Sequence, residues 1–263
     1  MTTRTDEGAR TAPDERLIPR VRAFLERSDK PYVLVVHLSN THLPYRTDSS
    51  LAPFQPAAYT QDVHRSRELF NQYKNAVLLQ DRTIAELVAT IRDTRVGTGA
   101  IIPYTSDHGE AFREHGQLTH TDSLFDEELR VPGWIDLPAG WQQKPEARRL
   151  RENAHQPTYL SDFLPTMMDL LGLYDRKELS AMRRHWVGVS LLRRTTAARP
   201  LMLSTCAEDW VCPFRIRGAT NGAMKLVGAT NANSQCYDLR RDPMEQHPLP
   251  LQDCSNLDQW LGH

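Results

Sequence analysis

Leu17, Val21, Phe24 and Leu25 recur at helical spacing, so residues 14–27 read as an amphipathic helix. Pro13 stands where a first helical turn tolerates it, and Lys30-Pro31 closes the segment. The next seven residues, YVLVVHL (32–38), form an almost unbroken apolar run. Such a run marks a central strand covered on both faces, with His37 a core or near-core residue. Residues 39–58 carry Pro44, Pro53 and Pro56 among Ser, Asn and Thr and read as a loop. From about Gln61 to Asp93 the helical period returns through Leu69, Tyr73, Ala76, Leu79, Ile84, Leu87 and Ile91, until Gly97 and Gly99 stop it. AIIPYTS (100–106) is a second buried strand, ending at Asp107-His108-Gly109. A third short strand is predicted near Val131 to Ile135, and a helix over 158–171, followed by Gly172.

Strand and helix alternating at these lengths argue for an α/β fold with a mostly parallel sheet flanked by helices. After Pro200 the pattern changes. LMLST, FRIRGAT, AMKLVGA and QCYDL are short and separated by Gly and Asn, as in a small antiparallel sheet. The expected organisation is a disordered tail (1–13), a partial α/β domain (14–198) and a small C-terminal subdomain (199–263).

Composition narrows the function classes. A net charge of -1 and the absence of a basic stripe leave no reason to expect a nucleic-acid partner. Arg148, Arg149 and Arg151 read as a solvated helix face. No apolar run is long enough to span a bilayer. The first residues are polar and lack the apolar stretch of a secretory signal, so the chain as written reads as soluble and not exported. Cys206, Cys212, Cys236 and Cys254 all fall in the last quarter without CxxC spacing. Zinc ligation is disfavoured; reduced thiols or two disulfides both remain open.

The candidate chemistry gathers at strand ends, where α/β sheets bind ligands. Asp107 and His108 offer one oxygen and one imidazole nitrogen, a pair that divalent metals accept, and Gly109 lets the backbone bend away. His42, after the first apolar run, could donate to an anionic oxygen or act as acid or base. His115 and His120 lie a few residues beyond Asp107, with surface histidines the plainer alternative.

These blocks together resemble one family. VLVVHLSNTHLPY, YKNAVLLQDRTIAELVATI, TSDHGEAFREHG, LRVP, YLSDFLPTMMDLLGL, MKLVGA and YDLRRDPMEQ are similar, in order, to the sulfatase branch of the alkaline phosphatase superfamily. The likeness extends to membrane-anchored phosphoethanolamine transferases and lipoteichoic acid synthases. It implies an alkaline phosphatase-like fold and metal-dependent hydrolysis or transfer on sulfate or phosphate esters. Asp107 and His108 become two ligands of one divalent ion: zinc, manganese, magnesium or calcium. His42 and His120 become the histidines that contact the transferred group, and His115 falls on the family's EHG position as a substrate-binding residue.

One departure stands out. The family's nucleophile and a further acidic ligand precede the SNTHLPY block, and nothing upstream of residue 30 offers them. Cys212-Pro213-Phe214-Arg215 only superficially resembles the sulfatase cysteine motif. The expectation is therefore the C-terminal part of an enzyme, inactive alone and completed by an N-terminal half or membrane anchor. Exposed apolar surface and self-association would follow. The alternative is a degenerate, non-catalytic module that binds an anion or a protein. Localisation is divided, because relatives work outside the inner membrane.

Overall fold

The computed structural model describes residues 12–120, 123–193, 199–206, 215–229 and 234–261. The expected tail falls almost wholly outside these, as does most of the Cys212–Arg215 stretch. The chain forms two compact units, one of residues up to 102 with 136–139, the other of 103–135 with 140–263. This division does not coincide with the change of pattern at 198/199.

In the first unit, a 3-10 turn (Asp14–Arg16) leads into α1 (Leu17–Arg27), and a long helix, α2 (Ser66–Arg92), follows the proline-rich loop. Val21, Leu25 and Leu87 are buried together, and Tyr32, Leu34, Val36 and Leu38 pack against them. Polar side chains on the buried face of α2 hold the loop. Asn75 exchanges two hydrogen bonds with the backbone of Phe54, donating at 3.0 Å and accepting at 3.1 Å. Asn71 donates to the Pro56 carbonyl at 2.9 Å. Each satisfies backbone groups that a buried loop would otherwise leave unpaired. Arg92 closes the helix end by donating to the carbonyls of Gly97 (2.9 Å) and Ala100 (2.7 Å) while pairing with Asp136 at 2.8 Å.

The apolar run at 32–38 departs from expectation. Its burial alternates residue by residue: Tyr32, Leu34, Val36 and Leu38 turn inward, whereas Val33, Val35 and His37 are exposed. No strand is formed there, because among the described residues no segment supplies backbone ladder partners to it. His37 is accordingly not a core residue.

The second unit begins within β1 (Ile102–Thr105), which pairs with β4 (Gly133–Asp136). Tyr104 stacks on Trp134 across that pair with ring centroids 5.2 Å apart. A hairpin of β2 (Ala111–Phe112) and β3 (Leu118–Thr119) and a short helix, α3 (Asp126–Leu129), fill the interval. Helices α4 (Pro145–Asn153), α5 (Phe163–Leu170) and α6 (Ser180–Arg183) follow, and Arg148, Arg149 and Arg151 are exposed on α4 as expected. Four strands close the chain as an antiparallel meander: β5 (Leu201–Cys206), β6 (Arg215–Thr220), β7 (Met224–Ala229) and β8 (Gln235–Asp238). Helix α7 (Ser255–Asp258) covers it, with Ala219, Leu226, Cys236, Cys254 and Leu257 in the core. Cys236 and Cys254 are joined by a disulfide. Cys212 lies outside the described residues. No helix among the described residues is long and apolar enough to cross a membrane.

Candidate active site

β1 ends at Thr105, and the chain turns at once into Ser106-Asp107-His108-Gly109. The turn is locally braced. Ser106 Oγ donates to the His108 carbonyl at 2.8 Å, and the His108 amide donates to Asp107 Oδ1 at 3.1 Å. Gly109 is required by close approach. A Cβ there would meet the Glu127 carbonyl oxygen at 2.1 Å, and the Gly109 amide donates to the Glu128 carbonyl at 2.7 Å. The turn is thus pinned against α3, rather than merely bending freely as the sequence suggested.

His108 Nδ1 lies 2.8 Å from the Gly109 carbonyl. A carbonyl only accepts, so Nδ1 carries a proton, and in the neutral ring Nε2 carries the lone pair. Nε2 stands 3.8 Å from Asp107 Oδ2. An oxygen and a nitrogen donor thus converge at the end of a strand, with the Asp107 side chain 81% exposed.

The hairpin adds a second imidazole. Ala111 faces Thr119 and Phe112 faces Leu118, which sets Glu110 and His120 side by side at the open end. His120 Nδ1 is 3.1 Å from Glu110 Oε1, and its ring stacks on that of His108 at 3.8 Å between centroids. The Glu110 hydrogen bond raises the His120 pKa above its ordinary value, against the lowering effect of burial. Thr119, just before it, has φ 73°. A β-branched residue in the left-handed region is strained, and such strain is held only where surrounding structure fixes it.

His115 is on the same hairpin but is engaged elsewhere. Its Nδ1 meets Glu127 Oε1 at 2.7 Å and its Nε2 meets the Glu245 carbonyl at 3.0 Å. Phe125 stacks on it at 3.6 Å. Both nitrogens are therefore used in tying the hairpin tip to α3 and to the turn after β8. Burial pushes its pKa down, but the hydrogen bonds and charges of Glu127 and Glu245 outweigh this and raise it. A histidine with a raised folded-state pKa stabilises fully below its unfolded value, near 6.5. That contribution is lost as pH climbs through the folded-state value. Urea midpoints measured from about pH 6 to about pH 9 are expected to fall in the native chain and to fall less in His115→Gln. Equal slopes in the two proteins would refute the assignment.

Thus Asp107, His108 and His120 come together, and His115 braces them. His42 belongs to the first unit, where it is exposed and its Nδ1 lies 2.7 Å from the Leu43 carbonyl. Among the described residues no group of three or more His, Cys, Asp or Glu side chains is arranged to hold a metal. The bracing residues Glu127 and Glu245 were not singled out from the sequence. They lie 12 and 130 positions from His115, and only the fold brings them together.

The sulfatase family's sequence profile matches residues 1–173. This chain belongs to the sulfatase family. A choline-sulfatase from Rhizobium meliloti is 29% identical over 203 residues, which are 76% of this chain and 36% of that protein. The phosphatidylethanolamine transferase Mcr-1 of Escherichia coli is 28% identical over 144 residues, 51% of this chain and 27% of that protein. The fold is that of the family's solved structures. The sulfatase-like protein yidJ of Bacteroides fragilis superposes with a TM-score of 0.69 at 16% identity, over 94% of this chain and 56% of its own. The sulfatase-family sequence here thus spans roughly a third or less of the length of these curated relatives.

Proposed function

We propose that this chain is the C-terminal part of a metal-dependent sulfatase-like hydrolase or phosphoryl transferase acting on sulfate or phosphate esters. The observation that carries the reading is the convergence of Asp107 Oδ2 and the lone-pair nitrogen of His108, 3.8 Å apart, under the stacked ring of His120. The family's named members, a choline-sulfatase and a phosphatidylethanolamine transferase among them, support this ester class.

The donor pair fits a divalent ion as part of a coordination shell. Zinc, manganese, magnesium and calcium all accept a carboxylate with an imidazole. Such an ion, when bound, supplies the Lewis acid that ester cleavage or transfer needs. Asp107 and His108 would hold it, with Ser106 and Gly109 orienting them. His120, steadied by Glu110, contacts the anionic group being transferred. Both nitrogens of His115 are committed, so its part is to position the hairpin rather than to touch substrate. Asp107 and His108 would supply two donors to such an ion, and nothing upstream of residue 30 offers the family's nucleophile. The isolated chain is therefore proposed to bind metal weakly and to turn over little.

Isothermal titration of the chain with Mn²⁺, alongside Asp107→Ala, tests this. The variant is expected to bind at least about tenfold more weakly. Equal melting points of the two proteins validate the comparison. Equal Mn²⁺ affinity in both proteins, or vigorous turnover of aryl sulfates by the chain alone, would overturn the reading. The alternative, a non-catalytic module, is favoured by the absence of a third donor among the described residues. It predicts no metal dependence at all.

A further inference from the structure

Lys74 follows Phe70 by one turn of α2, and its ammonium stands 5.1 Å from the Phe70 ring centroid. It stands 4.4 Å from the ring centroid of Phe54, in the proline-rich loop. Both distances are within reach of a cation over an aromatic face. Neither ring is covered: Phe54 is 38% and Phe70 41% exposed. Among the described residues no carboxylate pairs with Lys74. Single apolar residues scattered on a surface are ordinary. Two exposed rings gathered around an ammonium without a counter-charge are a different case. The arrangement is also held firmly. Asn75, fully buried, spends both amide atoms on the backbone of Phe54, and Asn71 donates to the Pro56 carbonyl. The helix that carries Phe70 and Lys74 thus fixes where Phe54 stands. A site set in advance loses little to ordering when a ligand arrives.

The three groups offer two kinds of contact at once. The ammonium supplies N–H donors and a positive charge for an anionic oxygen. The rings supply apolar faces on which a flat body packs, offset or edge to face. An inorganic anion would use only the first, and a neutral arene only the second. One ammonium matches a singly charged head, whereas a phosphate monoester carries up to about two charges at neutral pH. We infer that Phe54, Phe70 and Lys74 form a surface site for an aromatic sulfate monoester, its sulfate on Lys74 and its ring against the two phenyl groups. All three residues belong to the first unit, and the inference does not rest on the metal reading.

NMR of the isotope-labelled 263-residue chain, titrated with 2-naphthyl sulfate in the presence of EDTA, tests it. Resonances of residues 54, 70 and 74 are expected to shift together along one saturable curve. Sodium sulfate and 2-naphthol, each carrying half of the ester, are expected to bind there at least about fivefold more weakly. Lys74→Gln should weaken binding of the ester about fivefold, and Lys74→Arg, which keeps a charge that stacks on rings, should hold it within about twofold of the native chain. Equal melting points of these variants show that the fold is kept. Asp107→Ala should bind the ester as the native chain does, which separates failure here from failure of the metal proposal. Four results overturn the inference. No saturable change occurs at the three residues. Sodium sulfate binds as tightly as the ester, so the site reads charge alone. 2-Naphthol binds as tightly, so the site is merely apolar. Or Lys74→Gln binds the ester unchanged.

Discussion

Lys225→Met is expected to destabilise the chain by about 3–5 kcal/mol at neutral pH, the range for breaking a buried ion pair from one side. Lys225 and Glu245 are each about 1% exposed, and their charged atoms stand 2.9 Å apart. Lys225 Nζ also donates to Asp126 Oδ1 at 2.7 Å, and Glu245 Oε2 accepts from the Asp126 amide at the same distance. Taking away the ammonium leaves a buried carboxylate beside a second one. Burial already raises the Glu245 pKa above its ordinary 4.5, with Lys225 opposing the rise. Without Lys225 the folded state holds that proton more tightly still, so it binds more protons than the unfolded chain above about pH 4.5. Stability of the variant should therefore fall as pH rises and recover in acid. Lys225→Met/Glu245→Gln should cost clearly less than Lys225→Met alone, since no bare charge remains. Urea denaturation of the three proteins at two pH values measures this. A double variant as unstable as the single, with no recovery in acid, would show that packing rather than charge carries the effect. The consequence reaches the candidate site, because Glu245 also accepts from the ring that braces the hairpin.

Opening the Cys236–Cys254 bridge is expected to cost about 3 kcal/mol, from the loop-closure entropy of a crosslink 18 residues apart. The two residues lie in the apolar core of the meander with Ala219, Leu226 and Leu257. Cys236→Ala/Cys254→Ala removes the crosslink without burying a hydroxyl, and so isolates that term. Thermal or urea midpoints of this variant, and of the native chain with and without dithiothreitol, give the measurement. Unchanged stability under reduction would show that the meander holds by packing alone. The bridge also settles one alternative that cysteine counting left open, since spacing along the chain cannot say which sulfurs meet.

Much of the architecture was legible in order. The helices at 14–27, 61–93 and 158–171 appear as α1, α2 and α5 with their preceding 3-10 turns, because a 3.6-residue apolar period is a local property. The strands near 102 and 133, and the four short strands after Pro200, were marked by apolar runs between Gly and Asn. Asp107, His108 and His120 were singled out by their place after a strand and by family likeness, and the fold sets them side by side. Gly109 was noticed for the wrong reason. Its backbone freedom mattered less than the 2.1 Å approach of the Glu127 carbonyl, a contact invisible without the fold.

The amino-acid sequence by itself determined which segments are helical or extended, where the chain turns, and which chemical groups follow the second strand, because these depend on neighbours a few residues away. Whether an apolar run becomes a covered strand, as 32–38 does not, depends on partners distant in the chain. So does the commitment of His115 to Glu127 and Glu245, and the choice of Cys254 for Cys236. Tertiary structure decided those, since burial and pairing are properties of groups that meet only after the chain has folded.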